Sequence, residues 1–281
     1  MAVDLRGGTG LAGDKQVGVN LRTNVPHSAR VYDYLLGGKD NFEADRTAAE
    51  DVIKIAPYMP TSVRANRDFM VRVTRYLAAE RGVDQFIDIG TGLPTSPNLH
   101  EVAQRANPAA RIIYVDNDPL VLVHARALLT STPEGRTRYI QADLNDPDAI
   151  IGSSEVRDTF DFSRPVALCL IAVVHFIHDE DAVRSIIERL MKPLPAGSFL
   201  TLSTIALDSA PGDLVREAVA QYNRRGIMSK ARTRAQIEEF FAGFELIEPG
   251  VVPVHRWRPD EQAFLVRDSM VSMYGGLAVK G

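Results

Sequence analysis

The sequence lacks the features that mark secreted, membrane-spanning and nucleic-acid-binding proteins. Its single cysteine, Cys169, excludes an internal disulfide. The longest apolar run, VALCLIAVV, is far shorter than the roughly 20 residues of a spanning helix, and the opening MAVDLRGGTG has no signal-peptide core. The chain has 32 Lys and Arg residues and 36 Asp and Glu residues, and the basic residues do not form a block. We therefore expect no non-specific binding to nucleic-acid phosphates. These absences predict a cytoplasmic protein that binds neither membrane nor nucleic acid.

Motifs of metal and serine chemistry are missing as well. The sequence contains no His-Glu-x-x-His and no Cys-x-x-Cys, so no metal is expected. It contains no Gly-x-Ser-x-Gly, which argues against a serine hydrolase. What is present is a chain of 281 residues with 45% hydrophobic content, enough for a sizeable core without disulfides or metals to support it.

The chain divides into three parts by pattern. Residues 1–22 are rich in Gly and polar residues without periodicity and are predicted to form a mobile arm. Residues 23–82 contain three helix-like stretches, of which the third, TSVRANRDFMVRVTRYLAAERG, has Thr61 or Ser62 as its predicted N-cap. Residues 83–281 alternate strands with helices, which predicts an α/β fold with a mainly parallel sheet and PVALCLIAVV as its central strand.

Two glycines follow the first predicted strand of the core, in the segment FIDIGTGLPTSPN. In an open α/β sheet, ligands bind outside the carboxyl ends of the strands, and Gly90 and Gly92 would let the chain turn and a ligand approach closely. Asp116 closes the second strand, where a carboxylate can accept from a ribose diol. Asp143 closes the third and could accept from an adenine amine. The pattern predicts a nucleotide-like ligand; the alternative for either aspartate is an ordinary helix N-cap.

Two cofactors suit such a site, a nicotinamide dinucleotide and S-adenosylmethionine. The dinucleotide fingerprint needs a third glycine, but Thr95 stands in that position and Pro94 interrupts the loop. Asp88 lies just before the loop, where a carboxylate would repel a pyrophosphate and attract the positive sulfonium and amino groups of S-adenosylmethionine. The electrostatics therefore favour S-adenosylmethionine.

These motifs resemble those of the class I S-adenosylmethionine-dependent methyltransferases over roughly residues 84–205. Over nearly the whole chain, segments such as NVPHSARVYDYLLGGKDNFEADR, FIDIGTGLPT and VVHFIHDEDAV are similar to a bacterial group of S-adenosyl methyltransferases, formerly a domain of unknown function. The resemblance implies a Rossmann-like core at residues 83–281, with a mainly parallel seven-stranded sheet, helices on both faces and an N-terminal helical segment. It implies S-adenosylmethionine as the cofactor and no particular substrate.

The resemblance also implies roles in cofactor binding for residues of the core. The glycines would run under the methionine part, and Asp88 would orient the loop or bind the amino group. Asp116 would hold the ribose, and Asp143 would hold the adenine. The full set of core residues expected at the cofactor is Asp88, Gly90, Thr91, Gly92, Asp116, Asn117, Asp143 and Leu144.

The N-terminal segment YDYLLGGKDNF supplies a second group of cofactor-binding candidates. Gly37 and Gly38 end a predicted helix, and with Tyr32 they are expected to fold over the cofactor, so that residues 23–82 form a helical lid on the core. The alternative is a plain helix end whose tyrosines pack in the core. Arg67, on the third helix, would reach the same cleft and hold the methionine carboxylate.

The methyl acceptor would lie at the end of the fourth strand. Enzymes of this fold that methylate amines often carry a polar Asn/Asp-Pro-Pro-aromatic cluster there, whereas this chain has Val174-His175-Phe176. His175 is the candidate catalytic residue, as a substrate contact or a general base; the alternative is a histidine packed at a strand end. The basic run QYNRRGIMSKARTRAQ indicates either a small acidic substrate or a solvated helix face. Further candidate pocket residues are Tyr222, Arg225, Met228 and Trp257.

We therefore predict a methyltransferase that acts on a small molecule, with oxygen as the first expected acceptor. One alternative is a non-catalytic protein on the same fold that binds S-adenosylmethionine or S-adenosylhomocysteine, because no general base is evident. A weaker alternative is an NAD(P)-linked oxidoreductase. The sequence indicates no particular oligomeric state.

Overall fold

The computed structural model describes residues 22–128 and 130–281. The predicted mobile arm, residues 1–22, lies outside this range except for its last residue. The strands are β1 (Gln85–Ile89), β2 (Arg111–Asp116), β3 (Arg136–Gln141), β4 (Ala167–Ile171), β5 (Phe199–Ile205), β6 (Glu245–Leu246), β7 (Val252–Pro253) and β8 (Met273–Val279).

The strands form one sheet in the order β3-β2-β1-β4-β5-β8-β6, with β7 paired to β8. Strands β1 to β5 pair in parallel, whereas β8 runs antiparallel to its neighbours. The predicted α/β fold with a mainly parallel sheet is thus confirmed, and β4 is central and buried as expected. The strand order reverses between β1 and β4, which opens a crevice at the carboxyl ends of these strands.

The N-terminal part folds into three helices, α1 (Ser28–Leu36), α2 (Glu43–Ile55) and α3 (Met59–Arg75). The third helix begins before the predicted N-cap, since Pro60 lies in its first turn, where its missing N–H costs nothing. A buried ion pair, Arg30 Nε to Asp45 Oδ2 at 3.0 Å, joins α1 to α2. On α3, Phe69 packs so closely on β8 that a Cβ at Gly275 would lie 2.9 Å from its ring. Of the three helices, α3 therefore packs directly on the sheet.

Helices cover both faces of the sheet. They are α4 (Leu99–Ala106), α5 (Pro119–Leu128), α6 (Pro147–Ile151), α7 (Ser154–Thr159), α8 (Glu180–Met191), α9 (Gly212–Arg224), α10 (Arg234–Glu238) and α11 (Glu261–Leu265). Neighbouring residues of a strand face opposite sides: Ile87 packs with Ile187 of α8, while Phe86 packs with Phe69 and Leu99. Among the residues that the structure describes, no helix is both long and apolar enough to span a bilayer.

Candidate functional site

A cleft of about 420 Å³ opens at the carboxyl ends of β1 to β4. Strand ends and α1 supply its walls, as the reversal of strand order predicts. The cleft brings together most of the residues selected from the sequence, namely Tyr32, Arg67, Asp88, Gly90, Thr91, Gly92, Asp116, Asn117, Asp143, Leu144 and His175. Gly37 and Gly38 do not line it.

The glycine loop after β1 depends on left-handed backbone at two positions. Gly90 has a φ of 75° and Gly92 a φ of 68°, a region in which other residues are strained. A Cβ on Gly90 would lie 2.5 Å from a methyl group of Val173, in the segment after β4. A Cβ on Gly92 would meet no atom within 4 Å. The first glycine is therefore required by the fold itself, and only the second leaves open space.

Asp116 holds this loop in place. Its Oδ2 accepts from the Gly92 N–H at 2.9 Å, and its Oδ1 accepts from the Asp118 N–H at 2.9 Å. Burial raises the pKa of Asp116, and these two hydrogen bonds oppose the rise. The side chain still lines the cleft, and Asn117 beside it is exposed.

Asp88 is a buried carboxylate at the end of β1 to which no described residue donates a hydrogen bond. Burial raises the pKa of Asp88 to about 7. The negative charge of Asp116 contributes to this rise, and the positive charge of Arg67 opposes it. An ionised carboxylate is costly in such a place unless a cation or donor compensates it. The site therefore suits a ligand that brings a positive group to Asp88.

The remaining core candidates differ in what they present to the cleft. Asp143 is exposed, and its Oδ1 accepts from the backbone and side-chain amides of Asn145 at 2.9 and 2.8 Å. Leu144 beside it is buried and gives the cleft an apolar surface. The Thr91 hydroxyl donates to the Asp88 carbonyl at 3.0 Å and so faces the loop backbone.

Arg67 ties α3 to the glycine loop. Its Nη2 donates to the carbonyls of Thr95 and, at 2.9 Å, of Pro97. The sequence suggested a partner in a ligand carboxylate, but these loop carbonyls already occupy one end of the guanidinium. Its buried Nε has no partner among the described residues.

Tyr32 is held by a chain of hydrogen bonds that reaches the sheet. Its hydroxyl donates to the Val63 carbonyl at 3.3 Å and accepts from Nδ2 of Asn66 at 2.9 Å. Asn66 in turn accepts from the Ser203 hydroxyl at 2.7 Å. This network fixes the ring of Tyr32 at the wall of the cleft.

Gly37 and Gly38 end α1 and do not contact the cleft. Gly37 has a φ of 87°, and the N–H groups of the pair return to the carbonyls of Tyr34 at 2.9 Å and Asp33 at 2.8 Å. A Cβ on Gly38 would collide with the Asp33 carboxylate. The expectation that the pair lies over a cofactor is corrected: geometry assigns it to a left-handed helix end.

His175 lies in the short 3₁₀ turn that follows β4. It is 6% exposed, and its Nδ1 has no hydrogen-bond partner among the residues that the structure describes. Burial, with a smaller contribution from the charge of Arg232, lowers its pKa to about 3. The ring is therefore neutral at pH 7 and presents an unused nitrogen.

Arg232 lies beside the site and was not singled out by the sequence. Its side chain is fully buried, and its guanidinium donates to the carbonyls of Val174, at 3.3 Å, and Ile177. Its Nε lies 3.4 Å from Oε1 of Glu180. It therefore clamps the turn that carries His175. In the sequence, Arg232 is only one of several cations in a basic run, and nothing in that run indicates that its side chain is buried.

The other basic residues of that run do not face the cleft. Arg225 pairs with Asp51, and Lys230 pairs with Glu180 at 2.6 Å. Arg234 pairs with Glu238 at 2.8 Å. The interpretation as a site for an acidic substrate is therefore not supported.

Besides Arg225, the other three candidate pocket residues lie in different parts of the structure. Met228 lines the cleft. Tyr222 lines a smaller, apolar cavity of about 70 Å³ beside the cleft, here called the side cavity. Trp257 is fully buried and packs edge-on against Phe69 and Tyr76, which makes it a core residue.

Comparison with known proteins agrees with this geometry. Residues 14–281 match the model of a family described as S-adenosyl methyltransferase. A protein of the DUF574 family from Streptomyces avermitilis is 50% identical over 93% of this chain and 100% of its own, with a TM-score of 0.89. A Thermobifida fusca protein described as a methyltransferase is 39% identical over 95% of this chain and 99% of its own, with a TM-score of 0.84.

More distant structures share the fold alone. The plantazolicin methyltransferase BpumL, solved with S-adenosylhomocysteine, is 12% identical over 90% of this chain and 96% of its own, with a TM-score of 0.50. No curated protein matches the chain significantly. The family match over nearly the whole length shows that this chain belongs to the S-adenosyl methyltransferase family, whose cofactor is S-adenosylmethionine.

Proposed function

We propose that this chain transfers the methyl group of S-adenosylmethionine to a hydroxyl oxygen of a small molecule. The observation that carries the proposal is Asp88, a buried carboxylate to which no residue in the described part of the chain donates, in a cleft that also contains the glycine loop and Asp116. The amino group of the cofactor is a cation of the kind that would compensate Asp88. A pyrophosphate would instead repel it, which argues against a nicotinamide dinucleotide.

The other cofactor contacts follow from the donors and acceptors that remain free. Each oxygen of Asp116 accepts one backbone N–H and keeps a second lone pair for the ribose hydroxyls. Oδ2 of Asp143, which accepts no hydrogen bond from the described residues, and the exposed side chain of Asn117 suit the adenine amine and ring edge. Leu144 offers an apolar surface for the ring. Gly92, with open space where a Cβ would lie, lets the methionine part approach the backbone.

The N-terminal segment 23–82 is proposed to act as a lid on the core. Residues 26–29 and Tyr32, at the start of α1, line the cleft, so ordering of α1 would shield a bound ligand from water. Lys39 lies exposed just after the end of α1. We expect S-adenosylhomocysteine to slow trypsin cleavage after Lys39; an unchanged cleavage rate at saturation would contradict a lid.

The chemistry requires little from the chain beyond alignment and exclusion of water. S-Adenosylmethionine supplies a methyl group that is already activated by its sulfonium. The protein must hold the acceptor oxygen in line and accept its proton. His175 is neutral and has a free Nδ1. With a pKa of about 3 it is a weak base, but an oxygen that is gaining a methyl group becomes a strong acid, so a weak base near it is sufficient.

A second candidate function is a cofactor-binding protein without turnover. The low pKa of His175 favours it, because a general base works best when its pKa is near the working pH. The two candidates make the same prediction for cofactor binding and differ only in catalysis.

The test has two stages. Calorimetry should show micromolar binding of S-adenosylmethionine and S-adenosylhomocysteine and no binding of NAD(H). Methyl-labelled S-adenosylmethionine is then incubated with the protein and a pool of small alcohols and phenols, and label in the organic products is counted. Labelled ethers would support the enzyme. Cofactor binding without label in any product, in a pool that also contains amines and thiols, would favour the non-catalytic protein.

A further inference from the structure

The side cavity lies between the N-terminal helices, α9 and the carboxyl ends of β4 and β5. Its walls include Val31 and Leu35 of α1, Val63 of α3, Val215 of α9 and Ile205 at the end of β5. All of these residues are apolar, and together they give the cavity an aliphatic surface. Such a surface is costly to leave facing water and favours an apolar occupant.

The side cavity is continuous with the cofactor cleft. The two share Ser28, Tyr32, Ala172, His175, Phe176 and Ile227 as lining residues. At this junction Ala172 has a φ of 55°, which is rare for a residue other than glycine and is typical of backbone held in place at functional sites. Its N–H is bonded to the carbonyl and hydroxyl oxygens of Ser203 at 3.0 Å each. An occupant of the side cavity would therefore reach the cleft through a rigidly built opening.

Charge is absent from this cavity. Among the described residues that line it, none is Asp, Glu, Lys or Arg. Transfer of a charged group into such surroundings without a partner is strongly unfavourable. The cavity therefore selects a neutral molecule, in contrast to the acidic substrate that the basic run suggested.

One buried polar atom among the lining residues, Nδ1 of His175, has no partner in the described part of the chain, and His175 lines both the cleft and the cavity. Buried polar groups are normally hydrogen-bonded, so this nitrogen indicates a ligand that completes it. The hydroxyl of Tyr58 lines the cavity only; burial raises its pKa, and its contact with Ser272 lowers it without reaching good hydrogen-bond geometry. Tyr222 and Tyr32 lie near Tyr58 and add aromatic surface.

We infer that the side cavity is the acceptor pocket and that it binds a neutral, apolar phenol. Its hydroxyl faces Nδ1 of His175 at the junction, and a second polar atom, where the molecule has one, faces the hydroxyl of Tyr58. In the reaction, the phenol oxygen forms a bond to the methyl carbon as the carbon–sulfur bond breaks and its electron pair stays on sulfur. The phenol proton passes to Nδ1 of His175 and then to solvent. This inference rests on the proposed function.

The first experiment compares matched ring compounds on the full chain saturated with S-adenosylhomocysteine. Calorimetry is carried out with phenol and para-hydroxybenzyl alcohol as neutral probes, and with benzoate, phenyl phosphate and benzylamine as charged ones. We expect the neutral probes to bind and the charged ones to bind at least about 100-fold more weakly, because of the cost of burying their charge. Equal or tighter binding of any charged probe, or no binding of the neutral ones, would overturn the inference.

The second experiment removes the polar atom that only the side cavity uses. Tyr58→Phe deletes a hydroxyl whose contact with Ser272 lies outside good hydrogen-bond geometry, and it should leave the fold intact. It should weaken para-hydroxybenzyl alcohol by about 2- to 10-fold, the range for one net hydrogen bond, and leave phenol unchanged. Tyr34→Phe is the matched control, because the hydroxyl of Tyr34 bonds to Glu50 at the surface.

A third variant, Val219→Phe, fills the cavity. Val219 lies on α9, at a half-buried position of the cavity wall, and the larger side chain should exclude both probes.

Failure of this inference and failure of the proposed function are distinguishable. If the unmodified chain and all three variants bind S-adenosylhomocysteine, but the unmodified chain does not discriminate between neutral and charged rings, the acceptor pocket alone is overturned. Absence of S-adenosylhomocysteine binding in the unmodified chain would overturn the proposed function, and the acceptor pocket with it.

Discussion

The backbone N–H of Gly92 donates to Oδ2 of Asp116 at 2.9 Å and so joins the loop after β1 to the end of β2. The other oxygen, Oδ1, accepts from the N–H of Asp118 at 2.9 Å. One carboxylate therefore shapes the glycine loop while it lines the cleft. The loop and the proposed ribose site are built around the same side chain, and its removal should affect both.

Replacement of Asp116 by alanine should weaken S-adenosylhomocysteine binding by about 10- to 150-fold, which corresponds to roughly 1.5–3 kcal/mol. The loss has two sources, the bonds proposed to the ribose and the release of the Gly92 N–H. Calorimetry on the folded variant measures it. Unchanged affinity would remove Asp116 from the site.

The matched control for this change is Asp118→Ala. Asp118 is also buried but does not line the cleft, and its Oδ1 accepts from the Leu120 N–H at 2.8 Å at the start of α5. Its Oδ2 lies 3.2 Å from Nδ1 of His27, which lines the cleft. Loss of Asp118 should lower the free energy of unfolding by about 1 kcal/mol, as for other N-caps, and should weaken S-adenosylhomocysteine binding much less than Asp116→Ala does. A similar affinity loss in both variants would mean that Asp116 acts only through local stability.

Cofactor affinity should depend on pH through Asp88. Its pKa is raised to about 7 by burial, so the carboxylate is mostly ionised at pH 8 and mostly protonated at pH 6. A cationic amino group is attracted only to the ionised form, and affinity should therefore fall about tenfold from pH 8 to pH 6. Calorimetry at the two pH values measures the change.

Asp88→Asn is the control for this pH dependence. The amide keeps the shape of the side chain and does not titrate, so the variant should bind weakly at both pH values with a nearly flat profile. If the unmodified chain also gives a flat profile while Asp116→Ala still loses affinity, Asp88 does not face the amino group.

The two loop glycines should respond differently to alanine. Both need left-handed backbone, which costs about 1–2 kcal/mol for another residue. Gly90→Ala must also displace Val173 and should lose about 1–3 kcal/mol more. Gly92→Ala meets no protein atom, so it should keep most of its stability and weaken S-adenosylhomocysteine binding. Urea unfolding and calorimetry measure the two effects, and an equal loss of stability in both variants would contradict this account.

Much of the fold could be predicted because its signals are local. The apolar strands and the capped helices follow from periodicity, and β4 stands out as central by composition. Helix α3 begins before the predicted N-cap. Thr61 and Ser62 have the side chains of typical caps, but Pro60 already fits the first turn of the helix. The segment FELIEPGVVPV contains two short strands, β6 and β7, because Pro249 and Gly250 lie between them.

The site was predictable where it follows strand ends and not where it depends on packing. The glycine loop and Asp116 lie at fixed places along the chain, and the cleft contains both. Gly38 has the same local signal, but its N–H returns to the Asp33 carbonyl, which places it at a helix end, and the Asp33 carboxylate fills the space where a Cβ would lie. The side cavity and the burial of Arg232 arise from elements far apart in sequence, and neither leaves a pattern that periodicity or spacing can detect.

Arg232 should act on His175 as a positioning residue. It bonds to the carbonyls of Val174 and Ile177, on either side of His175, and its charge lowers the His175 pKa. Arg232→Met removes both effects. The free energy of unfolding should fall by about 1–3 kcal/mol because two carbonyls lose their donor, and the His175 pKa should rise from about 3 because a nearby positive charge is gone.

The pKa change separates this role from a merely structural one. NMR titration of the His175 ring follows it directly, and Arg234→Met is the matched control, because Arg234 pairs with Glu238 on an exposed helix face. The control should leave both the pKa and the stability nearly unchanged, since exposed ion pairs contribute little. Arg232→Lys keeps a charge but cannot span two carbonyls, so it should restore the low pKa and not the stability. A His175 pKa that stays near 3 in Arg232→Met would show that burial alone sets it.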